Sequence, residues 1–225
     1  MKLFFVRLLN MLIGLFLYAF GIIITIKANI GYAPWEIFHV GLSNTTGLSI
    51  GMISILAGLI IVIFITISGE KLGLGTISNM LFIGLFIDII LMIDFIPIAH
   101  NIISGIVMII IGLFIISIAT FFYMKSAFGA GPRDNLMVVL TRKTKMPVGI
   151  CRGLIELLVT VVGWLLGGMV GIGTVISVIA IGFCIQITFR VLKFDVTSVK
   201  HESMGDTFAV FSGRRKSEQI IPPKV

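Results

Sequence analysis

Six long apolar stretches alternate with short polar segments along the chain, and most charged residues fall in the polar segments. A helix needs about 20 apolar residues to cross a bilayer, and each stretch is close to that length. The predicted membrane-spanning helices are Leu8–Ile26, Ile50–Ser68, Thr76–Ile96, Ile102–Met124, Val148–Leu166 and Thr174–Val191. The pattern therefore predicts an all-α polytopic membrane protein with six transmembrane helices.

Two breaks of similar chemistry follow the first and the fourth of these stretches. Gly31–Glu36 reads Gly-Tyr-Ala-Pro-Trp-Glu, and Gly129–Asp134 reads Gly-Ala-Gly-Pro-Arg-Asp. Proline is tolerated in the first turn of a helix, so each break predicts the start of a short helix. A helix of about 10 residues crosses only half of a bilayer. The segments 28–44 and 126–140 are therefore predicted to be either re-entrant or interfacial, and the pattern leaves both open.

The two breaks belong to an internal repeat with a constant offset of 98 positions. The first half contains eleven glycines, and seven of them fall on glycine in the second half. Chance predicts about one such match, so the duplication is strongly indicated. Three spans per copy is an odd number, which turns the second copy upside down relative to the first. The predicted parts are a first membrane repeat at 1–97, a second at 98–195, and a basic, disordered cytoplasmic tail at 196–225.

The distribution of basic residues predicts the orientation. An amino terminus inside the cell places Lys2, Arg7 and the Arg142–Lys145 cluster on the cytoplasmic side, together with the tail. The outer loops then carry Lys27 and His100 and little else that is basic, as the positive-inside rule requires. Both termini are therefore predicted to be cytoplasmic. The alternative, in which each short segment also crosses the membrane, gives a parallel repeat and separates the amino terminus from the Arg142–Lys145 cluster.

Composition narrows the class of protein further. Mean hydropathy is +1.17, with 58% apolar and 12% charged residues, which is too apolar for a soluble domain of this size. The net charge of +7 is explained by loops beside the spans and does not indicate nucleic-acid binding. Cys151 and Cys184 lie in apolar stretches without disulfide or metal-ligand spacing. No convergent acid, base and nucleophile are visible, so we predict no enzyme activity, no cofactor and no metal.

Four polar residues at equivalent positions are the main candidates for function. Glu36 and Asp134 occupy the first turns of the short helices, where a carboxylate either caps the helix or lines a site shared by the two breaks. Asp88 and Gln186 lie within the third and sixth spans, where they either face a solute path or join helices by hydrogen bonds. The candidate path comprises Gly31, Pro34, Glu36, Asp88, Gly129, Pro132, Asp134 and Gln186.

Other polar residues have simpler interpretations. Arg152 and Glu156 are one helical turn apart in the fifth span, and this spacing predicts a local ion pair. Tyr32 and Trp35 are typical of anchors at the membrane interface. His39 is predicted to lie in a loop at the outer face.

The paired Gly-x-x-Pro breaks, each followed by an acidic residue, and the Gly-x-Gly-Thr sequences downstream resemble the YitT/YczE-like family of bacterial integral membrane proteins. The resemblance covers roughly residues 5 to 195. It implies a multi-pass protein of the bacterial plasma membrane, and it implies no particular activity. Arg133 departs from the pattern, because an aromatic residue is expected where the first break has Trp35.

An odd-span duplication with matching helix breaks is typical of transporters. The sequence therefore predicts a transporter or channel-like permease for a small solute or ion. The alternative is a membrane scaffold or regulatory partner, whose basic tail at Lys200 and Arg214–Lys216 would contact anionic lipid. The predicted partners are the lipid bilayer, a small solute or ion, and anionic lipid, and no nucleic acid. The oligomeric state is not predicted.

Overall fold

The computed structural model describes residues 2–196, 199 and 201–211, and these residues are all-helical, with no strand among them. The helices are α1 (Lys2–Lys27), α2 (Pro34–Thr46), α3 (Ile50–Ile67), α4 (Leu74–Ile93), α5 (Ile102–Ser126), α6 (Pro132–Thr144), α7 (Val148–Leu165), α8 (Ile172–Val191) and α9 (Met204–Phe211). Six of them, α1, α3, α4, α5, α7 and α8, are long and apolar enough to cross a membrane. The prediction of an all-α protein with six candidate spans is therefore confirmed.

Large apolar side chains cover the outside of the bundle. Ile67 and Met92 are more than four-fifths exposed, and α3, α4, α7 and α8 carry many similar residues. Such a surface suits lipid and not water. Polar residues are instead drawn into the bundle or to the ends of its helices.

Helices α1 and α5 form the central pair, and they run antiparallel. A Cβ added at Gly14 would lie 2.8 Å from the Tyr123 nitrogen, and one at Gly21 would lie 2.9 Å from the Gly112 carbonyl oxygen. The missing side chains let the two backbones approach closely, as at many membrane helix crossings. Helices α1 and α5 occupy equivalent positions in the two halves of the sequence.

Two hydrogen bonds cross between the halves in matching positions. The Gly75 N–H at the start of α4 donates to the Phe128 carbonyl at 2.7 Å, and the Gly173 N–H at the start of α8 donates to the Ile30 carbonyl at 2.8 Å. The offset of 98 positions relates Gly75 to Gly173 and Ile30 to Phe128. The start of one span in each half is therefore fixed to the break of the other half.

The packing of α3 on α4 has no counterpart between α7 and α8. Gly51 of α3 contacts Gly84 of α4 so closely that a Cβ at Gly84 would lie 2.5 Å from the Gly51 carbonyl oxygen. The equivalent glycines of α7 and α8 are Gly149 and Gly182, and a Cβ at either would meet no described atom within 4 Å outside its own helix backbone. The two helix pairs are thus closed in one half and separated in the other.

Part of the predicted tail is docked on the bundle. Glu202 forms a buried salt bridge with Arg7 of α1, and its N–H donates to the Ala127 carbonyl at 2.9 Å. The Met204 N–H donates to the Leu72 carbonyl at 2.8 Å, at the start of α9. This differs from the predicted disorder, because a buried ion pair holds the segment. Of the predicted tail, other residues, including Lys200 and Arg214–Lys216, lie outside the described residues.

A central polar cavity as the candidate functional site

A cavity of about 200 Å³ lies at the centre of the bundle. All of the helices α1 to α8 contribute to its wall. The polar and charged residues that line it are Tyr18, Trp35, His39, Ser54, Asn79, Thr120, Tyr123, Arg133, Asp134, Arg152 and Glu156. Pockets for drug-sized ligands are about 300–1,000 Å³, so this cavity suits a smaller solute.

The amino-terminal ends of the two short helices meet beside this cavity. The guanidinium of Arg133 on α6 lies 4.4 Å from the ring centroid of Trp35 on α2, and its Nη1 lies 3.9 Å from Glu36 Oε1. The offset of 98 positions makes Trp35 and Arg133 equivalent to each other. The two breaks therefore contribute to one common site.

The sequence of each break explains how its helix starts inside the bundle. Gly31 and Gly129 have φ values of 114° and 120°, a backbone conformation that favours glycine. Pro34 and Pro132 then occupy the first turns of α2 and α6, and both are buried. Because α2 also buries Glu36, it packs within the bundle and does not lie flat on its surface.

The five charged groups around the cavity are unequally paired. Arg133 lies nearest Glu36, and Arg152 Nε donates to Glu156 Oε1 at 2.8 Å. The predicted local ion pair on α7 is therefore confirmed. Asp134 is exposed to the cavity and has no cationic partner within 4 Å among the described residues. When Glu36, which lies behind Arg133 and outside the lining, is included, three carboxylates accompany two guanidiniums, a formal excess of one negative charge.

Tyr123 on α5 adds an unused hydrogen-bonding group. Its side chain is 5% exposed and lines the cavity, and its hydroxyl has no hydrogen-bond partner within the described part of the chain. Most buried polar groups in native proteins are hydrogen-bonded, because leaving one unpaired costs about 1–3 kcal/mol. Tyr123 therefore brings an unpaired hydroxyl to the wall of the cavity.

The residues of the predicted path divide between three locations. Pro132 and Asp134 line the cavity, and buried Glu36 adjoins it through Arg133. Gly31, Pro34 and Gly129 shape the breaks. Asp88 is elsewhere: it accepts hydrogen bonds from Ser49 Oγ at 2.5 Å and the Gly51 N–H at 2.8 Å, and so joins α4 to the start of α3. Gln186 is exposed on α8 and does not line the cavity.

Several cavity residues escaped the sequence analysis. His39, assigned to an outer loop, is 2% exposed on α2 and lines the cavity. Trp35, which the sequence predicts as an interface anchor, and Arg133, which departs from the family pattern, also line the cavity. Trp35 and Arg133 are 98 positions apart, and this equivalence in the repeat is a signal from which their contact could have been predicted. Nothing in the sequence distinguishes Tyr123 from other aromatic residues of the spans.

These features define a class: a six-span membrane protein with two broken segments that meet at a polar central cavity. The family described as "Family of unknown function (DUF6198)" matches residues 5–190, and this chain belongs to that family. This match, together with the relatives below, confirms the predicted resemblance to YczE-like membrane proteins.

Three relatives extend this result. The chain is 34% identical to the "Uncharacterized membrane protein YczE" of Bacillus subtilis (strain 168), across 77% of this chain and 80% of the relative. It is 30% identical to an "Uncharacterized protein" of Haemophilus influenzae, across 80% and 84%. It is 28% identical to the "Uncharacterized protein YyaS" of Bacillus subtilis, across 80% and 91%. No solved structure matches the chain.

Proposed function

We propose that this protein is a transporter that carries a small polar solute across the bacterial plasma membrane by alternating access. The observation that carries the proposal is the meeting of two equivalent helix breaks at one polar cavity, through Arg133, Trp35 and Glu36. Unwound backbone and helix termini at the centre of a membrane bundle are the usual solute-binding elements of transporters built from repeats. A scaffold needs no such cavity.

An inverted relation between the halves supports this mechanism. The equivalent helices α1 and α5 run antiparallel, and the Gly75–Phe128 and Gly173–Ile30 hydrogen bonds follow the same offset as the glycines. In inverted repeats, the two halves exchange conformations to expose one site to each side in turn.

The unequal packing of the two halves corresponds to one stage of such an exchange. With both termini in the cytoplasm, the Gly51–Gly84 contact closes the outer side of the cavity. The separation of Gly149 from Gly182 then leaves the inner side open, so this conformation is inward-facing. The outward-facing state would separate α3 from α4 and bring α7 onto α8.

Solute flux into liposomes containing the purified protein tests the proposal. The panel comprises small amines, guanidines, carboxylates and sugars, with and without an ion gradient. We expect Arg133→Ala to lower the flux at least about tenfold, because it removes the contact between the breaks. The matched control is Arg142→Ala, whose guanidinium is half-exposed and pairs with Glu70 away from the cavity. Protein that moves no solute in the panel would refute the proposal.

Truncation after Phe211 separates transport from the scaffold alternative. It leaves the docked segment and α9 in place and removes only the basic end of the chain. A transporter retains its flux, whereas a scaffold that works through Arg214–Lys216 loses its contact with anionic lipid vesicles.

A further inference from the structure

The charged residues of the cavity determine which sign of charge a ligand must carry. Arg133 and Arg152 each lie within 4 Å of a carboxylate, Glu36 and Glu156, whereas Asp134 has no cation within 4 Å among the described residues and is exposed to the cavity. A carboxylate away from bulk water is costly unless a cation or several donors neutralise it. The negative charge of Asp134 at the cavity wall therefore favours a monocation.

The hydroxyl of Tyr123 adds a requirement for hydrogen bonding. It is buried, it has no partner among the described residues, and it lines the same cavity as Asp134. A hydroxyl oxygen accepts from an N–H group, and a carboxylate accepts a charge-assisted bond from the same kind of donor. A ligand with at least two N–H donors satisfies both residues.

The remaining wall favours an organic ligand over a metal ion. Ile22, Ile116 and Ile181 supply apolar surface, and Tyr18 and Tyr123 supply aromatic rings, a type of group that attracts cations. A hard cation such as Ca²⁺ prefers six to eight oxygen ligands, and the described residues bring no three His, Cys, Asp or Glu side chains together in an arrangement that could hold a metal ion. The size of the cavity restricts the ligand to a few carbon and nitrogen atoms.

We propose that the cavity binds a small organic monocation with N–H donors, a protonated alkylamine or an alkylguanidinium, with Asp134 and Tyr123 as its polar contacts. The proposal rests on the proposed function and names the substrate class of that same site. Trp35, with Arg133 over its ring, lies in the wall of the cavity, so its fluorescence reports whether a ligand is bound.

A tryptophan titration tests the proposal on the full chain in detergent. The chain has two tryptophans, and Trp164 is 60% exposed on the outside of α7. Trp164→Phe therefore leaves Trp35 as the single fluorescent reporter. The probes are n-butylammonium and methylguanidinium, compared with tetramethylammonium, butyrate and sodium chloride. We expect saturable changes in Trp35 emission and a raised unfolding temperature with the first two probes.

Two cavity variants and one control assign the contacts. Asp134→Asn is expected to weaken binding of both N–H cations at least about tenfold, because it removes the charged acceptor. Tyr123→Phe is expected to weaken it about threefold to tenfold. Asp94→Asn removes a carboxylate at the end of α4, where it pairs with Lys27, and should leave the affinity unchanged. The unfolding temperature of each variant without probe checks that it is folded.

The outcomes separate this proposal from the proposed function. Tighter binding of butyrate or sodium, equal binding of tetramethylammonium, or unchanged affinity in Asp134→Asn would each overturn the organic-cation assignment. Absence of a saturable response to both N–H cations in emission and unfolding would overturn it as well. If both N–H cations bind as expected but no flux into liposomes is measured, the transport proposal is refuted and the binding-site proposal stands. If flux is confined to carboxylates or sugars, the transport proposal stands and the organic-cation assignment is refuted.

Discussion

Substitution of Gly51 by alanine tests the closed contact between α3 and α4. A Cβ at this position would lie 2.5 Å from Asp88 Cγ and closer still to the Gly84 carbonyl oxygen. The Gly84 oxygen belongs to the backbone and the Asp88 carboxylate is held by two hydrogen bonds, so the two helices must separate. The equivalent change in the other half, Gly149→Ala, meets no described atom within 4 Å outside its own helix and is the matched control.

The expected cost follows from the contacts that are lost. Forcing an extra methyl group into a packed contact costs about 1–3 kcal/mol. The hydrogen bond from the Gly51 N–H to Asp88, at 2.8 Å, contributes about 1.5–3 kcal/mol because its acceptor is charged. Alanine gains about 1 kcal/mol of helix propensity over glycine in both variants, so this term cancels in the comparison. The closed state should therefore lose on the order of 2 kcal/mol or more, or about 30-fold in its population relative to the open state.

Thiol labelling from outside the cell measures this population. Ser54 lies on α3 one turn after Gly51, is 9% exposed and lines the cavity. A cysteine there is introduced by Ser54→Cys, with Cys151 and Cys184 changed to serine. Opening of α3 from α4 exposes it to a membrane-impermeant maleimide in intact cells. We expect Gly51→Ala to raise the labelling rate at least about tenfold.

Gly149→Ala is the control because its added methyl group meets no described atom within 4 Å outside its own helix. Gly149→Ala should leave outside labelling at the rate of the parent. Equal rates in Gly51→Ala and the parent would refute the idea that this contact closes the outer side. An equal rise in both variants would show that the effect is not specific to the α3–α4 contact.

Two further predictions concern buried polar contacts. Glu202→Gln leaves Arg7 buried without its charged partner and should lower the stability by about 3–5 kcal/mol. Asp94→Asn changes an exposed pair and should cost less than about 1 kcal/mol. The unfolding temperatures of both variants in detergent check these values. Asp88→Ala removes the hydrogen bonds to the start of α3 and should raise the rate of labelling from outside, as Gly51→Ala does. Gln186→Ala should leave this rate unchanged. A lower labelling rate in Asp88→Ala would contradict the role assigned to Asp88.

Elements that depend on local sequence were predictable. The six apolar stretches gave six candidate spans because length and hydropathy are properties of each segment alone. The start of α6 at Pro132 and that of α2 at Pro34 followed from the proline and glycine of each break. The ion pair of Arg152 and Glu156 followed from their helical spacing.

Contacts between distant segments were harder to predict from the sequence. Asp88 and Gln186 are equivalent in the sequence, but only Asp88 has a helix start within reach, because α3 packs on α4 whereas α7 is separated from α8. His39 reads as a loop residue until α2 is known to be buried. The docking of Glu202 on Arg7 joins residues from opposite ends of the chain.

The membrane class, the six candidate spans, the predicted repeat and the two breaks could be inferred from the sequence, because each depends on composition, periodicity or a fixed offset. Only the tertiary structure decided that the breaks meet, with Arg133 over Trp35 and beside Glu36. The physical reason is that a break fixes where a helix starts but not what lies opposite it. That neighbour is set by the packing of α1 on α5 and of each half against the other.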